Sequence, residues 1–284
     1  MKKSKIYDPK RDIINTLSYK KIFNQPLTIY QLIYYGHCYF MNLSEVHEAL
    51  GELIRRSKIK FKNNKYFLSS MKFKEVDKLF EDSKKYFLEL EKIVFIFDKI
   101  PFIQMVGVTG SLAAYHFNEE TDDIDLFIIC TRDRVWITRF LIVVIFKFLN
   151  IYVNNKHPQM KLCPNIYISD SSMSWDSSKR NIYVANEIVM MQPIFQRNET
   201  YFKFLYLNNW ILDFIPNFVI NEVSINSQEK ELTLLDLLEK IIMFLQKVIM
   251  KNKSGSEVLN KNFIHFLKID HSERILDSFS KLKS

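Results

Sequence analysis

The sequence predicts an α+β fold: a central unit of strands and helices, preceded by a module of helices plus a hairpin and followed by a helical C-terminal region. Three observations lead there. Apolar runs around Val106-Gly107-Val108 and over residues 124–129 read as strands on either side of a Gly110-Ser111 turn. Long stretches carry apolar residues every three or four positions, the period of a helix with one buried face. Residues 58–61 and 65–68 flank Asn63-Asn64, a pair suited to a tight hairpin turn. With 284 residues and 48% hydrophobic content, the chain has material for two domains and a sizeable core.

Residues 1–70 form a first unit. A helix over 11–23 is followed by Gln25-Pro26-Leu27-Thr28, with Thr28 as N-cap of a helix through Tyr35. Asn42-Leu43-Ser44 opens a third helix, whose Val46, Ala49, Leu50 and Leu53 share one face. The hairpin closes the unit, and this order of elements resembles a winged helix-turn-helix. Residues 71–100 link it to a second unit. Within that link, 72–100 read as one helix on the spacing of Phe80, Tyr86, Phe87, Leu90, Ile93 and Phe97, stopped by Pro101. Residues 101–220 hold the two strands, an apolar helix over 134–149, a third strand over 165–169 and helices over 176–192 and 199–214. Residues 221–284 read as helical, over 228–250 and 271–281, with a break at 253–256. The most apolar run, 140–146, is far short of the roughly 20 residues a membrane span needs.

The charge is +8, from 40 Lys and Arg against 32 Asp and Glu. Such a balance favours polyanionic partners, nucleic acid or nucleotides, through a basic surface. Cys38, Cys130 and Cys163 are too far apart for a disulfide framework or a zinc pattern. The N-terminus, Met-Lys-Lys-Ser-Lys, lacks an apolar signal region, and a reducing, cytoplasmic setting is expected.

The chemistry concentrates between residues 106 and 129. A strand leads into Gly110-Ser111, and the next strand opens with Asp123-Ile124-Asp125-Leu126. Side chains alternate across a strand, so Asp123 and Asp125 share a face while Ile124 and Leu126 point into the core. Gly110 permits close backbone approach, and Ser111 with nearby N–H groups suits a β- or γ-phosphate. Two carboxylates on one face suit a divalent metal.

This pattern resembles the signature of the DNA polymerase β-like nucleotidyltransferase superfamily. Gly110, Ser111, Asp123 and Asp125 match its motif position by position over about residues 102–130. The resemblance implies a nucleotidyltransferase-type mixed sheet, a nucleoside triphosphate held by Gly110 and Ser111, and Mg²⁺ or Mn²⁺ held by Asp123 and Asp125. It also implies a third carboxylate on a later strand. Asp170, at the end of the third strand, is the candidate for it, and Asn165 is the rival occupant. Asp176 is a weaker alternative that reads as an N-cap.

Other residues carry both a chemical and a structural reading. Arg139, with Trp136 and Arg134 at the start of the apolar helix, is placed to reach a phosphate or base, or else packs structurally. Lys156, His157 and Lys161 lie in a polar loop where a phosphate contact or simple solvation is expected. His116 reads as a helix-surface residue, and Met190-Met191 as core. Arg55, Arg56, Lys58, Lys60 and Lys62 suit a nucleic-acid backbone, whereas Glu45, Glu48 and Glu52 oppose that use. The expected function is Mg²⁺-dependent transfer of a nucleoside monophosphate to a hydroxyl on RNA, a small molecule or a protein, a toxin–antitoxin-type modifier of tRNA or protein included. The alternative is an inert, nucleotide-sensing or nucleic-acid-binding regulator working through the first unit.

Overall fold

Helices and strands form where apolar periodicity and capping chemistry agree. The computed structural model describes residues 8–39, 42–71, 76–153, 162–225, 233–250, 256–267 and 271–283. Helix α1 (Pro9–Ile22) is capped by Asp8, whose carboxylate accepts from Lys10 N at 3.1 Å. Helix α2 (Ile29–Tyr34) begins in a capping box between Thr28 and Gln31, and α3 (Leu43–Arg55) on Asn42. Strands β1 (Ile59–Lys62) and β2 (Lys65–Leu68) pair antiparallel through Asn63 and Asn64, both at positive φ (50° and 58°), as a two-residue hairpin turn requires. Ile13, Leu17, Leu32, Val46, Leu50 and Ile59 form this unit's own core.

Next come α4 (Val76–Glu91), α5 (Phe95–Lys99), β3 (Ile103–Val108), the single turn α6 (Gly110–Ala113), β4 (Ile124–Cys130) and α7 (Val135–Phe148). They are followed by β5 (Leu162–Ser169), α8 (Ile182–Met190), β6 (Gln192–Gln196) and α9 (Thr200–Leu207). The chain continues with α10 (Leu234–Met250), β7 (Ser256–Leu259), β8 (Phe263–Leu267) and α11 (His271–Lys283). Six strands form one mixed sheet in the order β6-β3-β4-β5-β8-β7, with β4 and β5 parallel and the other pairs antiparallel. Fold class is therefore α+β with an open mixed sheet. No helix among the described residues is long and apolar enough to cross a membrane.

Several sequence expectations change. The linking helix is two helices, because the chain turns at residues 92–94 to seat Phe97 against the sheet. The stretch 176–192 is a capped 3-10 turn followed by α8, and Gln192 already belongs to edge strand β6. The stretch 199–214 breaks at Asn208, whose side chain is fully buried and bonded to Met173 O and Phe204 O. The C-terminal region is not helical throughout, since it adds the β7–β8 hairpin to the edge of β5. The third strand therefore becomes an interior one with a neighbour on each side.

The sheet separates two cores. Ile124, Leu126 and Ile128 of β4 face Trp136, Ile142 and Phe146 of α7, while Phe127 and Ile129 face Ile188, Val189 and Phe204. Arg134 and Trp136 are structural: Arg134 Nη1 bonds Asp236 at 2.6 Å, and Trp136 is wholly buried. Glu239 of α10 accepts from Trp136 N at 2.8 Å and Ile137 N at 2.9 Å, so a carboxylate from another helix caps the start of α7. Burial raises the Glu239 pKa, and the two N–H donors oppose that rise.

The N-terminal unit is docked against the sheet. Gln25 Nε2 donates to Ala114 O at 2.9 Å, and Asn217 Nδ2 donates to Ile33 O and Cys38 O. Tyr19 of α1 packs with Ile275 and Phe279 of α11 in a small core joining elements from both ends of the chain.

Because Glu239 supplies both α7 bonds from a 3%-exposed position, Glu239→Ala is expected to cost about 2–3 kcal/mol. Urea unfolding monitored by circular dichroism measures it, with Glu239→Gln losing less.

Candidate active site

The site forms where β3 ends and β4 begins. Gly110 has φ +68°, in the left-handed region that favours glycine. A Cβ there would lie 2.7 Å from Asp125 Oδ2, so glycine is what lets the turn come down onto that carboxylate. The Thr109 N–H donates to Asp125 O at 3.0 Å, which extends the β3–β4 ladder into the turn and fixes the approach. Asp125 is the one half-buried position in a strand otherwise buried along its whole length. It therefore presents its carboxylate at the open end of the sheet.

The parallel pairing of β4 and β5 completes the cluster. Asp125 stands opposite Cys163, and the β4–β5 register shifts just beyond, where Asn165 is the extra residue of β5 and turns its side chain to the same carboxylate. Asn165 Nδ2 donates to Asp125 Oδ1 at 2.6 Å, and Cys163 Sγ lies 3.8 Å from Asn165 Oδ1. Ligand atoms of Asp123, Asp125 and Cys163 all fall within 4.8 Å of one another. The side chains of Asp123, Asp125 and Cys163 are thus grouped closely enough to hold a metal ion. The thiol of Cys163 is a softer donor than the two carboxylates.

A cavity of about 570 Å³ opens over this cluster. Gly110, Ser111, Asp123, Asp125 and Asn165 line one wall, while α8 and α1 supply the facing wall with Glu187, Met190 and Lys20. His265 and Phe266 of β8 and Arg274 of α11 also line it. The volume is in the range of small-molecule and cofactor sites. His116 is a lining residue too, with its pKa lowered by burial, so it is a cavity residue and not a plain surface one.

Four expected site residues, Gly110, Ser111, Asp123 and Asp125, are thus brought together. Two are not. Asp170 starts a 3-10 turn beyond Ser169, and the register pairs Ser169 with Cys130 at the far end of β4. Six strand steps from Cys163 amount to about 20 Å. Asp170 lies instead near Arg132, Asp133 and Cys130, with its pKa raised by burial, and the β5 residues beside Asp125 are Cys163 and Asn165. Arg139 turns away from the cavity: it bonds Gln246 Oε1, and its guanidinium lies 5.0 Å from the Phe266 ring centre, because α10 covers that flank of α7. Asp176 caps its 3-10 turn through Ser178 N at 2.9 Å. Lys156, His157 and Lys161 lie outside the described residues.

Lys20 and Glu187 are the site residues that sequence reading missed. They sit in helices that carry no site motif, and only tertiary packing turns them toward the cavity. No family model, no curated protein and no solved structure matches the chain.

Gly110→Ala is expected to destabilise the protein by about 2 kcal/mol, since it combines left-handed strain with a contact on Asp125. Chemical unfolding measures it, and Gly51→Ala, with open space at its Cβ position in α3, is the control expected to leave stability equal or raised.

Proposed function

We propose that the protein is a metal-dependent nucleotidyltransferase, moving a nucleoside monophosphate from a nucleoside triphosphate to an acceptor hydroxyl. The observation carrying this reading is the seating of Gly110 directly over the Asp125 carboxylate, with Asp123 beside it, at the mouth of a cavity of ligand size. A plain surface acid pair has no reason to sit under a left-handed glycine turn.

Each residue then has a task. Ser111 offers its hydroxyl and the turn offers backbone N–H groups to the triphosphate; α6 is only one turn long, so its macrodipole adds little. Asp123 and Asp125 would hold a divalent cation, which when bound neutralises phosphate charge. Asn165 orients Asp125 by its 2.6 Å bond and leaves the other carboxylate oxygen on the Gly110 side. In the transfer, the acceptor oxygen bonds to the α-phosphorus, the bond from that phosphorus to the bridging oxygen breaks, and pyrophosphate leaves. The hydroxyl proton goes to water, because the amide of Asn165 cannot accept it. Positioning and charge neutralisation supply most of the catalysis in such chemistry.

The cavity walls bear on the acceptor. The N-terminal unit and α11 both border the pocket, so a small acceptor or a single flexible chain end fits better than a duplex.

Incubation with labelled triphosphates and Mg²⁺ or Mn²⁺ in cell extract is expected to label an acceptor, and the Asp123→Ala/Asp125→Ala variant is expected to label none. Ser111→Ala is expected to lower kcat/KM roughly tenfold, the worth of one charge-assisted hydrogen bond. Triphosphate binding that does not depend on metal, without incorporation, would instead favour a nucleotide-sensing regulator.

A further inference from the structure

We propose that Lys20, from the N-terminal unit, is a phosphate-binding residue of the cavity, pairing with the polyphosphate of the ligand opposite the Asp123–Asp125 cluster. This rests on the nucleotidyltransferase reading and adds to it a residue far from the motif in sequence.

The geometry is unusual for a lysine. Lys20 is 1% exposed and lines the cavity. Its Nζ lies 3.1 Å from Met190 Sδ and 4.9 Å from the Tyr35 ring centre, a soft and aromatic surround. No carboxylate among the described residues comes within the 4.0 Å of an ion pair with it. Lysines are seldom fully buried unless paired, so an anion is wanted there. Position supports a phosphate: Met190 ends α8, and Gln192 just after it pairs with Val108, two residues before Gly110. The lysine therefore borders the same space as the Gly110-Ser111 turn.

Charged and titratable groups facing Lys20 set the sign of its pH dependence. Burial lowers its pKa to about 7, and Glu187 of α8 opposes that shift. Burial raises the Glu187 pKa to about 7, with Lys20 opposing. Tyr19 and Tyr35 are both held above the ordinary tyrosine value by burial and stay neutral. Below both titrations the pocket offers an ammonium and a neutral carboxylic acid, which suits an anion. Above them it offers a neutral amine and a carboxylate, which repels one. Anion affinity thus falls as pH rises through about 7. Ionisation of the phosphate itself acts in the opposite direction, so the sign identifies the protein groups.

Inorganic tripolyphosphate with Mg²⁺ is the probe, titrated by calorimetry into the full chain at roughly pH 6 and roughly pH 9, on either side of both titrations. Wild type is expected to bind more weakly at the higher pH. Lys20→Met is expected to bind roughly ten- to a hundredfold more weakly at the lower pH and to keep only the part of the pH response that Glu187 supplies. At the lower pH, where Glu187 is protonated, its ligand-free thermal midpoint is expected to be at or above that of wild type, because a desolvated cation has been removed. Glu187→Gln is expected to bind more tightly than wild type at the higher pH, and it carries the test if Lys20→Met does not fold. Wild-type affinity in Lys20→Met, or in Glu187→Gln at the higher pH, overturns the role of Lys20 and leaves the acid-pair reading standing. Absence of any binding by wild type overturns both.

Discussion

Parallel pairing of β4 with β5 is the constraint on which the site depends. It sets Asp125 opposite Cys163 and brings Asn165 within hydrogen-bonding distance of the carboxylate. A slip by one residue would turn Asp125 into the core and an apolar neighbour into the cavity, because side chains alternate along a strand. The flanking cores hold the register: Leu126 and Ile128 on one side and Phe127 and Ile129 on the other are buried, so a slip would exchange the neighbours of all four. Placement of the acids is thus a by-product of burying β4 on both faces.

The same logic explains how the cavity is closed. The β3–β4–β5 end of the sheet supplies only one wall. The other comes from α8, held against β3 by Met191, and from α1, fastened through Gln25, the Tyr19–Phe279 packing and Lys20 itself. The N-terminal unit has its own core, yet its first helix also belongs to the site. In the same unit, Lys10 and Arg56 are both engaged by Glu52 of α3. Exposed ion pairs of this kind contribute little stability, but they reduce the free positive charge that α3 presents.

Opposite charges in the cavity divide the work by depth. The two aspartates stand half-buried at the mouth, where water can still screen them. Lys20 stands deeper, in a low-dielectric surround that makes its charge conditional on pH and ligand. The third carboxylate expected from the family resemblance has no counterpart on β5; an amide and a thiol stand beside Asp125 there.

The sequence by itself determined the strand–turn–strand motif, because Gly110-Ser111 and the alternation Asp123-Ile124-Asp125-Leu126 are local statements about turn conformation and strand faces. It also determined the caps at Thr28 and Asn42 and the Asn63-Asn64 turn, where one residue's side chain or φ decides the outcome. Tertiary structure alone decided which later residues reach the site. Asn165 lies within β5 and Asp170 just past its end, only five residues on, and register alone separates the one that meets Asp125 from the one that does not. Arg139 had the right chemistry on the right helix, but α10 covers it. Edge strand β6 was hard to read because its residues are half-exposed and its alternation is weak, and the β7–β8 hairpin shows itself only in its pairing with β5. Lys20 and Glu187 were invisible for a different reason. Their helices carry no site motif, and a buried lysine is distinguished from a solvated one only by what folds over it.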